Sequence, residues 1–282
     1  MKKVRIVMDS TSYLSEDMVK KYNIEVVPLY VRFGEETYKE RLDIDDDTFY
    51  KRLRGGELSF TSQPSPEDFI KVYKPILDAG NSIISIHIST QMSGTVNSAN
   101  IAKETLKSDK IYVFDSKFVS LGCGYQVMEI ARMLYEEGKS LEDVLKEIPD
   151  LYKHSNVYFI VGDLFYLART GRIGRARAAL GTAIRVKPLL YIKDGVVDTF
   201  EQPRTAERAK ERIIEIVKEK IEQYGMKYMS VIYGDNREEA EEFRKICEKE
   251  FNTQLPLVRL GPIVGTNTGP EVLSIHLYTE RI

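Results

Sequence analysis

The strongest constraint on this chain is a rhythm that changes halfway along it. In the first half, short apolar runs alternate with amphipathic stretches. VRIVMD (4–9), IEVVPLYVRF (24–33), NSIISIHIS (81–89) and KIYVFD (110–115) read as strands. SEDMVKKYN (15–23), a stretch from about 94 to 107 and another near 125–137 read as helices between them. Ser65-Pro-Glu-Asp68 is a helix start, with Ser65 as N-cap, Pro66 in the first turn and Asp68 as capping-box partner. Phe69, Val72, Tyr73, Ile76 and Leu77 follow at helical spacing, and Ser140-Leu-Glu-Asp143 opens one more helix. Strands joined by helical crossovers predict a parallel sheet covered on both faces. The acidic segment GEETYKERLDIDDDTFY reads as a surface excursion.

Beyond residue 152 the rhythm is different. NVYFIV (156–161), VKPLLYIKDGVVDTF (186–200), KYMSVIYGD (227–235), QLPLVRL (254–260) and VLSIHLY (272–278) read as strands, and Asp194-Gly195 splits the second into a hairpin. Helices are expected at about 163–185, 204–223 and 236–250. The fold class is therefore α/β: an N-terminal parallel-sheet, Rossmann-like domain (1–152) and a C-terminal, mostly antiparallel α+β domain (153–282). No repeat or low-complexity linker interrupts them.

Composition narrows the function. The net charge of −2 does not suit a protein built to bind nucleic acid. Cys123 and Cys247 are the only two cysteines and lack metal-ligand spacing, which fits a reducing compartment. No run approaches the roughly 18–20 apolar residues of a membrane span, and MKKVRIVMDS lacks a signal-peptide pattern. The expectation is a cytoplasmic protein with no integral membrane segment.

In an open parallel sheet, ligands gather beyond the carboxyl ends of the strands. Asp9-Ser-Thr11, Ser89–Thr95 and Asp115-Ser116 should meet there, with 60–65 nearby. Ser93 and Gly94 admit two readings, a helix cap or an anion site at a helix N-terminus, and spacing alone leaves both open. A nucleophilic Ser93 is disfavoured because Gln91 stands where a nucleophile elbow needs glycine. His87, His154 and His276 offer no base. Thr61 is an ordinary turn hydroxyl or a second donor to the same anion. Asp9 reads as an acceptor for loop N–H groups. The basic cluster Arg169, Arg172, Arg175, Arg177, Arg185 and Lys187 surrounds Gly171-Arg-Ile-Gly174 and reads as a solvated face or partner surface rather than a nucleic-acid clamp. Gly122-Cys-Gly124 lacks the third glycine of a dinucleotide fingerprint. Gly261–Pro270 reads as a conformationally demanding loop, or as one that points Thr266 and Asn267 into an interdomain cleft.

Five segments in order resemble the DegV family of fatty-acid-binding proteins, which includes the bacterial FakB subunits. They are Val7–Thr11, Thr61–Ser65, Ser93–Ala99, Tyr166–Gly174 with Lys187-Pro188, and Gly261–Pro270. The resemblance implies a long-chain fatty acid between two domains, its carboxylate held by Thr61 and Ser93 with backbone help near Gly94. It implies no cofactor and no metal. A separate ATP-dependent fatty acid kinase would be the partner, forming an acyl phosphate for phospholipid synthesis, so the chain itself is a carrier with no catalytic residue. Where the family commonly has histidine in the last segment, this chain has Asn267, which can donate a hydrogen bond but cannot titrate near neutral pH. Ser62, Thr266 and Arg204 are supporting or partner-facing candidates. The rival reading is an enzyme acting on a small phosphorylated or carboxylated metabolite at the same strand ends.

Overall fold

The computed structural model describes residues 4–181 and 187–282, so Arg185 of the basic cluster lies outside the described residues. The elements run in chain order as β1 (Val4–Asp9), α1 (Glu16–Lys21), β2 (Glu25–Val27), β3 (Tyr30–Phe33), β4 (Glu36–Lys39), α2 (Asp46–Arg54), β5 (Ser59–Ser62), α3 (Pro66–Asp78), β6 (Ser82–His87), α4 (Thr95–Leu106), β7 (Ile111–Asp115), α5 (Leu121–Tyr135) and α6 (Leu141–Leu151). The second half continues with β8 (Ser155–Val161), α7 (Phe165–Arg169), β9 (Leu189–Lys193), β10 (Val196–Glu201), α8 (Ala206–Tyr224), β11 (Tyr228–Tyr233), α9 (Arg237–Phe251), β12 (Leu257–Arg259), α10 (Pro262–Thr268) and β13 (Val272–Tyr278).

A four-stranded parallel sheet, ordered β2-β1-β6-β7, forms the first layer. A six-stranded sheet, ordered β10-β9-β8-β13-β11-β12, forms the second and is antiparallel except for the β11–β12 pair. This is the α/β plus α+β division expected from the sequence. Between them lies α5, whose residues 121–127 are all buried. A side chain at Gly124 would place its Cβ 2.4 Å from the Ser12 carbonyl, so only glycine lets the helix approach the 3-10 turn after β1 this closely. Glu129, on the same helix, accepts from Lys227 and Tyr228 and staples the helix to β11. One apolar cluster runs from Ile6 and Ile84 through Val127 to Val157 and Phe159, so the two halves share a core.

Three local expectations are corrected. The run 24–33 is not one strand. Pro28 supplies no N–H to a ladder, and β2 joins the parallel sheet while β3 leaves it for a third, antiparallel sheet ordered β4-β3-β5. The acidic excursion supplies β4 of this sheet and the start of α2. The helix expected over 163–185 stops at Arg169, because Gly171 and Gly174 take φ of 76° and 54°, and 3-10 turns follow over Gly174–Gly181. Residues 182–186 of that expected helix lie outside the described residues. Gly261–Pro270 is not a loop but holds α10, with Pro262 in its first turn and Gly269 as C-cap at φ 79°. A Cβ at Gly265 would lie 2.7 Å from the Tyr50 hydroxyl, so α10 packs on α2 at glycine range.

Candidate functional site

A cavity lies between the two main layers, enclosing about 880 Å³ of atom-free space with its mouth included. Its floor is the inner face of the six-stranded sheet, where Val157, Phe159, Ile232 and Val272 project. Its roof is Ile88 and Val119 from the loops after β6 and β7, and the β9–β10 hairpin closes over it with Ile192 and Val197. The tip of that hairpin is pinned to the first domain by Ser89, whose Oγ donates to the Gly195 carbonyl at 2.8 Å.

Polar side chains of both halves converge on this wall: Thr61, Ser62 and Gln63 from the end of β5, Ser93 from the loop before α4, Asn267 from α10, and Arg172 from the turn after α7. Ser93 precedes the helix cap rather than forming it. Gly94 is the cap residue of α4 and no side chain caps that helix. The Ser93 hydroxyl instead pairs with the Thr95 hydroxyl at 2.8 Å and accepts from the Thr95 N–H at 3.3 Å. Gly94 does not itself line the cavity; it lies beneath the Gln63 amide, which a Cβ there would meet at 2.7 Å. Asn267 donates to the Ile263 carbonyl at 2.7 Å. This fixes its amide, leaves the second Nδ2 hydrogen as a donor, and leaves Oδ1 without a partner among the described residues.

The remaining candidates stand elsewhere. Thr266 is fully buried and turned away from the cavity, bonding Ser59 Oγ at 2.9 Å and the Pro262 carbonyl at 2.8 Å. It ties α10 to β5, the strand that carries Thr61. Arg204 is exposed ahead of α8 and does not line the cavity.

Two buried carboxylates hold the walls. Asp9, at the end of β1, accepts from Thr11 N at 2.9 Å, from Thr11 Oγ1 at 2.5 Å and from Ile88 N at 2.8 Å, with His87 Nδ1 at 3.3 Å. It thereby shapes the start of the Ile88–Ser93 loop, in the loop-accepting role read from sequence. Burial alone would raise its pKa, but His87, Thr11 and the Ile88 N–H outweigh it and hold the carboxyl below the ordinary range. Glu40 serves α10. It accepts from Ile263 N at 3.0 Å and Tyr13 OH at 2.9 Å, and from Ser10 Oγ at 2.5 Å. A Cβ at Gly261 would lie 2.6 Å from its Oε1. Here burial prevails over the same kinds of donor, and the carboxyl is pushed up.

Sequence reading missed several of these residues. Arg172 was visible only as one charge among many. In the structure its guanidinium donates to the Met92 carbonyl at 3.2 Å, bracing the Ser93 loop from the second domain. His276 and Ser274 left a readable signal, two polar residues at strand spacing within VLSIHLY, which places both on one face. Both line the cavity. Glu40 left no signal, since a glutamate in an acidic stretch is ordinarily solvated. Among the described residues no group of side chains could hold a metal ion, and no helix is long and apolar enough to cross a membrane.

The DegV family model, described as an uncharacterised protein family, matches residues 3–280. The chain belongs to the DegV family. It is 34% identical to the protein DegV of Bacillus subtilis over 278 residues, 96% of this chain and 98% of that one. A DegV domain-containing protein of Clostridium acetobutylicum is 33% identical and is covered to 98%, matching 99% of this chain. Among solved structures, a Thermus thermophilus DegV family protein described by its fatty acid binding superposes with TM-score 0.88 at 34% identity, covering 98% of this chain and 99% of that one. A stearic acid-binding protein of Eubacterium ventriosum superposes with TM-score 0.89 at 29% identity, covering 99% of each chain.

Proposed function

We propose that this DegV family protein binds a long-chain fatty acid in the interdomain cavity and carries it without transforming it. The observation that bears most weight is the cavity itself: mostly apolar over floor, roof and hairpin, with alcohols from β5 and the Ser93 loop converging on its wall. The fatty acids bound by the Thermus thermophilus and Eubacterium ventriosum relatives support the same reading.

In this reading tail and head do different work. Each buried methylene contributes roughly 0.8 kcal/mol, so a dozen give on the order of 9–10 kcal/mol before ordering costs. The carboxylate takes hydrogen bonds from Thr61 and Ser93 and from the free Nδ2 hydrogen of Asn267; Gly94, behind the Gln63 amide, does not reach it directly. The N-terminal end of α4 adds favourable partial charge. These contacts offset desolvation and fix where the head group sits. Thr266 supports them from behind. Handing the acid to a separate ATP-dependent fatty acid kinase is the further step, with Ser62 at the wall and the exposed Arg204 as partner-facing residues; it rests on the family resemblance.

Protein purified natively and then denatured should release a fatty acid, read by mass spectrometry. Thr61→Ala and Ser93→Ala should each weaken carboxylate retention by roughly 1.5–3 kcal/mol, as expected for a hydrogen bond to a charged group. Release of a polar metabolite instead, or unaltered affinity in the double variant, rejects the assignment.

A further inference from the structure

The far part of the cavity is not uniformly apolar. Two polar atoms there, Ser120 Oγ and His276 Nδ1, are buried and have no hydrogen-bond partner among the described residues, so they do not bond each other either. Both residues line the cavity, at 2% and 3% exposure. Fully buried polar atoms normally find a partner, and neighbouring Ser274 does, donating to the Tyr158 carbonyl at 2.9 Å.

The fold brings the two together around Val157. His276 is paired directly with Val157 across β13 and β8, so their side chains share a face. Val157 Cγ2 lies within 3.0 Å of where a Cβ on Gly122 would be, two residues along the chain from Ser120. His276 stands four residues along β13 from Val272, about 13 Å from the end where the strand leaves α10 and Asn267. The pair therefore faces the chain of a bound acid, not its carboxylate.

The chemistry of the pair selects the group that would satisfy it. Burial pushes the His276 pKa down to about 3, so the ring is neutral, and a neutral ring with a hydroxyl offers a carboxylate or ammonium no counter-charge. A neutral imidazole and a serine hydroxyl can each donate or accept. A ligand hydroxyl can give its proton to Nδ1 while accepting from Ser120, whereas a methylene leaves both atoms bare.

We propose that Ser120 and His276 form a second polar subsite that recognises an in-chain hydroxyl, making monohydroxylated long-chain fatty acids preferred ligands. This rests on the fatty-acid reading of the cavity. The test uses the delipidated full-length protein, titrated with stearate and with a series of hydroxystearates whose hydroxyl is moved stepwise along the chain. One position, or two adjacent ones, should bind about tenfold tighter than stearate, the scale of one buried hydrogen bond. Ser120→Ala and, independently, His276→Leu should bring the ratio of hydroxystearate to stearate affinity to about one, so either variant suffices if the other does not fold. Stearate binding with every hydroxyl position weaker than stearate overturns the proposal alone. Failure of stearate and of the whole series overturns the fatty-acid reading with it.

Discussion

The two walls of the cavity are each held by a buried carboxylate, yet the two behave in opposite ways. Asp9 sits at the end of a parallel strand, where the turn to Thr11 and the loop at Ile88 supply two backbone donors, with the Thr11 hydroxyl and His87 adding two more. Glu40 receives one backbone donor and two hydroxyls. Both are essentially removed from water. The larger donor set, with His87 in it, holds the Asp9 carboxyl below its ordinary range against burial, while at Glu40 burial prevails and the carboxyl is pushed up. Burial does not by itself decide charge; the number and kind of donors does.

The comparison can be broken most severely at Asp9. Asp9→Ala strands two backbone N–H groups and His87 in the interior and should cost about 3 kcal/mol or more in denaturant unfolding. Glu40→Ala should cost less, about 2 kcal/mol, because the Ser10 and Tyr13 hydroxyls can turn to other partners. A loss at Glu40 equal to that at Asp9 would refute the asymmetry.

His276 sharpens it, as a buried titratable group whose pKa is moved by desolvation alone, from 6.5 to about 3. Because the folded pKa is depressed, the unfolded chain takes up the proton first, and stability is lost as pH falls below 6.5. Between pH 6.5 and 5 the loss should be about 1.6 kcal/mol in wild type relative to His276→Gln. Parallel pH profiles for the two proteins would contradict a neutral buried ring.

The smallest effect is one of sign. Asp9, held below its ordinary 3.8, contributes stability present above that value and lost in acid. Glu40, raised above 4.5, contributes stability complete below that value and lost as pH rises through its folded pKa. The stability of Glu40→Gln should therefore gain on wild type as pH rises above 4.5. A gain on acidification instead would mean that Glu40 is held ionised like Asp9.

Much of this architecture was legible because it is periodic. The switch from strand–helix alternation to hairpins marked two kinds of sheet, and the Ser65–Asp68 capping box formed as read, with the Ser65 Oγ accepting from Asp68 N and the Asp68 carboxylate from Ser65 N. The glycine-rich segments were read less well. Gly171 and Gly174 ended a helix expected to continue, while Gly261, Gly265 and Gly269 framed a helix where a loop was expected. Glycine serves both for positive φ and for close approach, and only the neighbours tell which. At Gly269 it does both, with φ 79° and the Tyr166 ring 2.5 Å from the Cβ position.

By itself the sequence determined the two main layers, the change of sheet type and the loop that carries Ser93, because these follow from local periodicity, turn chemistry and capping; that Thr61 lies on a strand, β5 of the third sheet, came only from the structure. Only the tertiary structure decided which polar residues face the cavity. Thr266 and Asn267 are adjacent in sequence, yet one is locked against Ser59 and the other lines the wall. Glu40 and Ile263 lie 223 residues apart and meet through one hydrogen bond. Helix rotation and long-range contact are set by packing against distant elements, which no local pattern encodes.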